Sequence, residues 1–146
     1  MRAVVIYESL TGTTAKAAMM IGDRLAATGA TIVVCPVNRI DYQALSEADV
    51  VLVGTWTDGI VIAAQRPGRA GRLRAMPAIT GKRTFVFATY AIDPGRVLDK
   101  LVAIVEGRGA DVLGGMTIRR DRLESSTADF VDRVLSAVAP EVRERA

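Results

Sequence analysis

The residues with the clearest potential for chemistry are side-chain hydroxyls that gather in one short segment, Tyr7 to Thr14. The segment follows the apolar run Ala3 to Ile6 and precedes a stretch of helical periodicity, so we expect it to join a strand to the N-terminus of a helix. Ser9, Thr11, Thr13 and Thr14 can donate hydrogen bonds from their hydroxyls, and Gly12 lets the main chain turn closely around a ligand. Unpaired N–H groups at a helix N-terminus and neutral hydroxyls both suit an anion, which favours a phosphate site. An ordinary helix N-cap is the alternative, but it requires only one hydroxyl.

A second polar loop follows another apolar run, Val50 to Val53. The loop consists of Gly54, Thr55, Trp56, Thr57, Asp58 and Gly59. An indole in such a loop can stack on a flat ring and exclude water from it. A plain core tryptophan is the alternative, but the flanking threonines and the Asp-Gly pair favour a binding site at the end of a strand.

Histidine is absent from the sequence, and Cys35 is the single cysteine. The composition therefore excludes Ser/His/Asp and Cys/His catalysis and the zinc sites that need histidine. Because Cys35 lies in the apolar run Ile32 to Cys35, we expect a buried thiol. The sequence suggests no catalytic residue and no metal site, so redox or proton chemistry would come from a cofactor.

The charged residues are unevenly distributed along the chain. Lysine and arginine outnumber aspartate and glutamate by 19 to 16 overall, whereas the segment from Gly59 to Ile92 has basic residues and no acidic ones. These basic residues are Arg66, Arg69, Arg72, Arg74, Lys82 and Arg83. The positive sector indicates an anionic partner or ligand, with a solvated helix face as an equally strong alternative.

Apolar runs and helical periodicities alternate along the 146 residues, which predicts one α/β domain with a parallel sheet covered by helices on both faces. The predicted strands begin near Ala3, Thr31, Asp49, Arg83 and Ala110. Helices are predicted from Thr14 to Thr28, Asp41 to Leu45 and Pro67 to Met76, then from Asp93-Pro94 onward and from Ser126 onward, before a frayed tail from Pro140 to Ala146. Gly114 and Gly115 indicate a bulge or a close approach of another backbone segment. No apolar run is long enough to span a membrane, so we expect a cytoplasmic protein.

The loop after the first strand lacks the features of other phosphate sites. The Gly-Lys-Ser/Thr of a Walker A loop does not occur, and the nearest lysine, Lys16, lies a turn inside the predicted helix. The G-x-G-x-x-G spacing of a dinucleotide site is also absent. A phosphorylatable receiver domain needs an acidic cluster after its first strand, where only Glu8 is present.

Ser9 to Thr14 resembles the S/T-x-T-G-x-T phosphate loop of flavodoxins, and Gly54 to Gly59 resembles the T-W-x-x-G segment of the same family. The spacing of the motifs and the order of the elements match along nearly the whole chain. The resemblance is to the short-chain class, and it implies a doubly wound five-stranded parallel sheet in the order 2-1-3-4-5 with FMN as the cofactor. It also implies that Trp56 packs on one face of the flavin, while Tyr90, in a loop shorter than is usual in the family, is the candidate for the other face.

By this resemblance, the cofactor-binding residues are Ser9, Leu10, Thr11, Gly12, Thr13, Thr14, Thr55, Trp56, Thr57, Asp58, Gly59, Thr89, Tyr90, Ala91 and Asp93. A flavodoxin-like protein would pass single electrons via a flavin semiquinone to a redox partner. A main-chain carbonyl between Thr57 and Gly59 would face the flavin, and the acidic side chains of Asp58 and Asp93 would lower its potential.

Two other functions stay open. One is an FMN-dependent oxidoreductase for a quinone, porphyrin or similar substrate, with residues 60–64 as an apolar pocket wall. The other is an interaction module of the same fold without flavin. Because most flavodoxins are acidic, the basic side chains of Arg66, Arg69, Arg72 and Arg74 predict an acidic redox protein or an anionic small molecule as the partner, and no nucleic acid.

Overall fold

A computed structural model describes the backbone of residues 1–59 and 65–145 and the side chains of 1–59 and 65–139. The strands are β1 (Arg2–Tyr7), β2 (Thr31–Pro36), β3 (Val50–Asp58), β4 (Arg66–Pro67), β5 (Arg83–Tyr90) and β6 (Asp111–Arg119). The helices are α1 (Thr13–Ala26), α2 (Tyr42–Glu47), α3 (Ala70–Arg74), α4 (Val97–Glu106) and α5 (Leu123–Arg145), with a 3-10 turn at Val37–Arg39. No helix in these ranges is long and apolar enough to cross a membrane.

Five parallel strands form the sheet in the order β2-β1-β3-β5-β6. This confirms the predicted doubly wound sheet and its strand order. The two-residue β4 is an addition, and it pairs antiparallel with the end of β3. Strand order reverses between β1 and β3, so a crevice opens beyond their carboxyl ends, where ligands bind in sheets of this type.

Two apolar layers enclose the sheet because successive strand side chains point to opposite faces. On one face, Val5, Leu52 and Phe87 pack against α1 and α5, and the rings of Phe87 and Phe130 lie 5.7 Å apart. On the other face, Val4, Val51 and Val86 pack against α2, α3 and α4. Strands covered on both faces need continuous apolar runs, which is why β1 and β3 were visible in the sequence.

The segment around Pro67 was predicted to be helical, and this is wrong. Pro67 lies in β4 opposite Thr57, and α3 begins only at Ala70. Gly68 N–H donates to the Trp56 carbonyl at 2.8 Å, which continues the pairing with β3. Backbone hydrogen bonds to β3 therefore replace the first helical turn that the sequence predicts at Pro67.

The starts of the last two helices also differ from the predictions. The Asp93 carboxylate accepts from Gly95 N–H at 2.9 Å, and this local turn precedes α4, which begins at Val97. Helix α5 begins at Leu123, and the Thr127 hydroxyl donates to the Leu123 carbonyl at 2.6 Å inside the helix. The backbone continues helical to Arg145, where the sequence suggests a frayed tail.

Two local predictions are confirmed. The helical turn predicted from Asp41 to Leu45 is α2, and the Asp41 carboxylate caps it by accepting from Ala44 N–H at 2.9 Å. The bulge at the paired glycines appears as a register shift, because Phe85 pairs with Gly114 while the preceding Thr84 pairs with Val112.

Candidate functional site

The hydroxyl-rich loop lies at the crevice, between the end of β1 and the start of α1. Gly12 precedes the helix with φ at +96°, a left-handed conformation that suits glycine. The Ser9 hydroxyl oxygen accepts from Gly12 N–H and from Ala15 N–H, each at 3.2 Å. Ser9 therefore stabilises the loop and the first turn of α1, while its own hydroxyl proton stays available to a ligand.

The remaining donors of the loop divide into two groups. No described residue accepts a hydrogen bond from the N–H groups of Thr11, Thr13 or Thr14. The Thr14 hydroxyl is buried and forms a 2.7 Å hydrogen bond with the Thr89 hydroxyl at the end of β5. Thr14 thus joins α1 to β5, and the free N–H groups make the loop suitable for an anion.

Trp56 lies near the end of β3, half-buried, with one face of its indole covered by Gly68. A Cβ atom at Gly68 would lie 2.2 Å from both Cδ2 and Cε2 of the indole. Cδ2 and Cε2 are the two carbons that the five- and six-membered rings of the indole share. An atom equally close to both of them must lie above the ring plane, so Gly68 packs against a face of the indole. The Thr55 hydroxyl donates to the Gly68 carbonyl at 2.8 Å and secures this packing from inside the protein.

A buried carboxylate, paired with two partly exposed arginines, connects the hydroxyl-rich loop to the segment beside Trp56. Glu8 is 4% exposed, and its Oε1 accepts from Arg69 Nη1 at 2.7 Å and from Arg72 Nη1 at 3.3 Å. The Arg69 guanidinium also lies 5.6 Å from the centre of the Trp56 ring, within cation–π range. Arg69 holds this place with φ at +46°, which is unfavourable for a residue with a side chain.

The other predicted residues of the tryptophan loop have different roles. The Thr57 hydroxyl is buried and has no hydrogen-bond partner among the described residues. Asp58 pairs with Arg66 at 3.1 Å, and both side chains are well exposed. Gly59 is exposed with φ at +96°.

Two adjoining pockets collect most of the predicted site residues. The first is lined by Ser9, Leu10, Thr11, Thr13, Thr14, Trp56, Thr57, Thr89, Tyr90, Ala91 and Arg120. The second is lined by Thr57, Gly59, Gln65, Ala91, Ile92 and Asp93. Gly12, Thr55 and Asp58 line neither of them: the first shapes the loop, the second supports Gly68, and the third faces Arg66.

A family model described as a flavodoxin domain matches residues 4–111 of the sequence. The chain belongs to the flavodoxin family.

Solved structures share the fold of this flavodoxin at low sequence identity. Oxidised flavodoxin 1 from Bacillus cereus is 23% identical over 90% of this chain and 98% of its own, with a TM-score of 0.63. A cysteine-to-serine mutant of the flavodoxin from Pseudomonas aeruginosa is 17% identical over 95% of this chain and 99% of its own, with a TM-score of 0.72. Rubredoxin oxygen:oxidoreductase from Desulfovibrio gigas is 17% identical over 94% of this chain but only 37% of its own, with a TM-score of 0.67. No curated protein matches the sequence significantly.

The residues present in this flavodoxin fit a phosphorylated, ring-bearing cofactor. The first pocket is lined both by the hydroxyl-rich loop, with its free N–H groups, and by the aromatic residues Trp56 and Tyr90. The unpartnered Thr57 hydroxyl lines both pockets, where a polar ring edge would give it a hydrogen bond. Residues 60–64, predicted as an apolar wall, lie outside the described residues.

Most of the basic sector is engaged within the protein. Arg66, Arg69 and Arg72 form ion pairs with Asp58 or Glu8. Lys82 Nζ donates to the carbonyls of Ser46 and Ala48. Arg74 is exposed and lines a separate surface pocket with Lys100 and Arg108.

Cys35 is buried beside α2, as the sequence predicts. Burial raises the pKa of its thiol; a backbone hydrogen bond at Asp41 offsets part of this rise, and the negative charge of Asp41 adds a smaller rise. Because the thiolate is the reactive form, this cysteine is unsuited to nucleophilic chemistry.

Sequence reasoning missed Glu8 as a partner of the arginines, and Gln65 and Arg120 as pocket residues. The ion pair joins residues that are 61 and 64 positions apart, so no local pattern indicates it. Arg120 follows the last strand of the sheet directly, and its place in the pocket depends on the pairing of β6 with β5. A basic residue just beyond the carboxyl end of a strand is the one signal that could have identified it.

Proposed function

We propose that this flavodoxin binds FMN in the two adjoining pockets and passes electrons one at a time between FMN and a redox partner. The observation that carries the proposal is the first pocket, which joins anion donors at the start of α1 to the aromatic rings at the ends of β3 and β5. A phosphate dianion and a flat apolar ring are the two chemical halves of FMN.

The chain would hold the two halves of FMN by different means. N–H groups of the loop, with the hydroxyls of Ser9, Thr11 and Thr13, would receive the phosphate. Trp56 and Tyr90 would bound the ring and exclude water from it. FMN itself supplies the one-electron redox chemistry, and the protein orients it and sets its electrostatic surroundings.

The turn after β3 would tune those surroundings. Gly59 adopts φ +96° beside the second pocket, so the main chain can present a carbonyl there without hindrance from a side chain. Asp58, the last residue of β3, carries an acidic group next to this turn, but Arg66 at 3.1 Å offsets part of its charge. We therefore expect Asp58 to lower the potential of the ring less than an unpaired carboxylate would.

The proposal is tested with the purified full chain. Titration with FMN should quench flavin fluorescence with saturation at one site per chain, and a potentiometric titration should resolve two one-electron steps. Absence of saturable binding would contradict the cofactor assignment. Binding followed by a single two-electron step would instead contradict the carrier function, and turnover of a quinone with NAD(P)H and no second protein would favour the oxidoreductase.

A further inference from the structure

One charged side chain lies among the described residues that line the first pocket, and it is that of Arg120. The other lining residues are neutral hydroxyl, apolar and aromatic residues. Glu8 borders the loop, but its carboxylate is engaged by Arg69 and Arg72. The pocket therefore has a net positive character, which the sequence motif of neutral donors does not predict.

The sheet fixes the position of Arg120 relative to the phosphate loop. Thr89 pairs in register with Ile118, and the Thr89 hydroxyl bonds to Thr14 in the first turn of α1. Arg120 comes two residues after Ile118, so strand alternation places it on the face of the sheet that α1 covers. Arg120 N–H also donates to the Tyr90 carbonyl at 2.9 Å, which keeps this alignment beyond the end of β6.

The guanidinium of Arg120 is free to bind a ligand. The preceding Arg119 is engaged by Asp121 at 3.1 Å. No residue within 1–59 or 65–139 forms an ion pair with Arg120 in the structure. Arg120 is exposed and lines the pocket, so pairing with a ligand would displace no ion pair within the described residues.

We propose that Arg120 binds the phosphate of FMN and makes the pocket selective for the phosphorylated flavin. This inference rests on the proposed function. A phosphate monoester carries nearly two negative charges at pH 7, and a guanidinium donates parallel, charge-assisted hydrogen bonds to its oxygens. Neutral donors would shape the phosphate site, and Arg120 would supply its charge complement.

The test compares the affinities of FMN and riboflavin, which differ by the phosphate alone. Arg120→Gln should weaken FMN binding by about tenfold or more and leave riboflavin binding nearly unchanged, because a hydrogen bond to a charged group is lost. Arg120→Lys keeps the charge but lacks the paired N–H donors of a guanidinium, so its loss of FMN affinity should be intermediate. Arg119→Gln is the matched control. It removes the same charge from the neighbouring residue, whose side chain does not line the pocket.

The salt dependence of FMN binding distinguishes the loss of a charge contact from a change in the shape of the pocket. The FMN affinity of the wild-type protein should fall with ionic strength more steeply than that of Arg120→Gln. Equal losses for FMN and riboflavin, or an Arg119→Gln effect as large as that of Arg120→Gln, would overturn the inference while the FMN assignment stands. If the wild-type chain binds neither flavin, the proposed function fails, and this inference fails with it.

Discussion

Gly68 is a residue whose importance becomes visible only through its neighbour. Its main chain packs on a face of Trp56, and an added Cβ would lie 2.2 Å from two carbons of the ring. The Thr55 hydroxyl donates a hydrogen bond to the Gly68 carbonyl, so the backbone at Gly68 cannot move away from the indole without losing this bond. A methyl group at this position must therefore displace the indole.

We expect Gly68→Ala to weaken FMN binding by about tenfold or more and to lower the free energy of unfolding by about 1–3 kcal/mol, as overpacked sites do. Fluorescence titration with FMN and chemical denaturation measure the two effects. Gly71→Ala is the matched control, because a Cβ there meets no atom within 4 Å and lies in α3, where alanine is the better helix former. Wild-type affinity and stability in Gly68→Ala would mean that Trp56 does not depend on this contact.

At the scale of elements, the pair between Glu8 and its arginines connects the end of β1 to the segment around α3. Oε1 of Glu8 accepts a hydrogen bond from each of the two arginines, while Oε2 is buried without a partner among the described residues. Because both arginines are partly exposed, water can solvate them if the carboxylate is lost. The cost of breaking the pair is thus smaller than for a pair buried on both sides.

Glu8→Gln should reduce the free energy of unfolding by about 1–3 kcal/mol, the range for a charged hydrogen bond in a buried setting. The measurement is equilibrium unfolding in urea. Glu47→Gln removes one carboxylate charge from an exposed pair with Arg2 and should cost less than about 1 kcal/mol. Similar losses in the two variants would show that burial of Glu8 adds nothing to the strength of its pair.

The elements also explain what could be predicted from the sequence. Strands covered on both faces and a loop rich in hydroxyls are local patterns, so the sheet and the loop that begins α1 were predictable. Pro67 was misplaced because its pairing with Thr57 is a long-range contact, and the helix start at Asp93 was misplaced because its side chain stabilises a competing turn. Arg120 depends on strand register, which no local pattern contains.

The whole molecule has a formal charge of +3, and three of its basic side chains lie together on one face. Arg74, Lys100 and Arg108 line one surface pocket beside α3 and α4. The other arginines of the basic sector that precede α3 or lie within it are already paired with carboxylates. Outside the flavin pocket, an anionic acceptor should therefore be attracted to the face that carries α3 and α4.

Arg74→Glu should slow the oxidation of the reduced, FMN-loaded protein by ferricyanide about two- to fivefold at low ionic strength, since the trianion loses part of its steering field. Stopped-flow absorbance measures the rate. The difference should vanish near 1 M salt, where the Debye length is about 3 Å. Arg133→Glu changes the net charge equally from an exposed position on α5, on the opposite face of the sheet, and should have a smaller effect. If both variants slow the reaction alike, net charge alone governs the encounter; if neither does, the arginines of this face are a solvated surface and the acceptor approaches elsewhere.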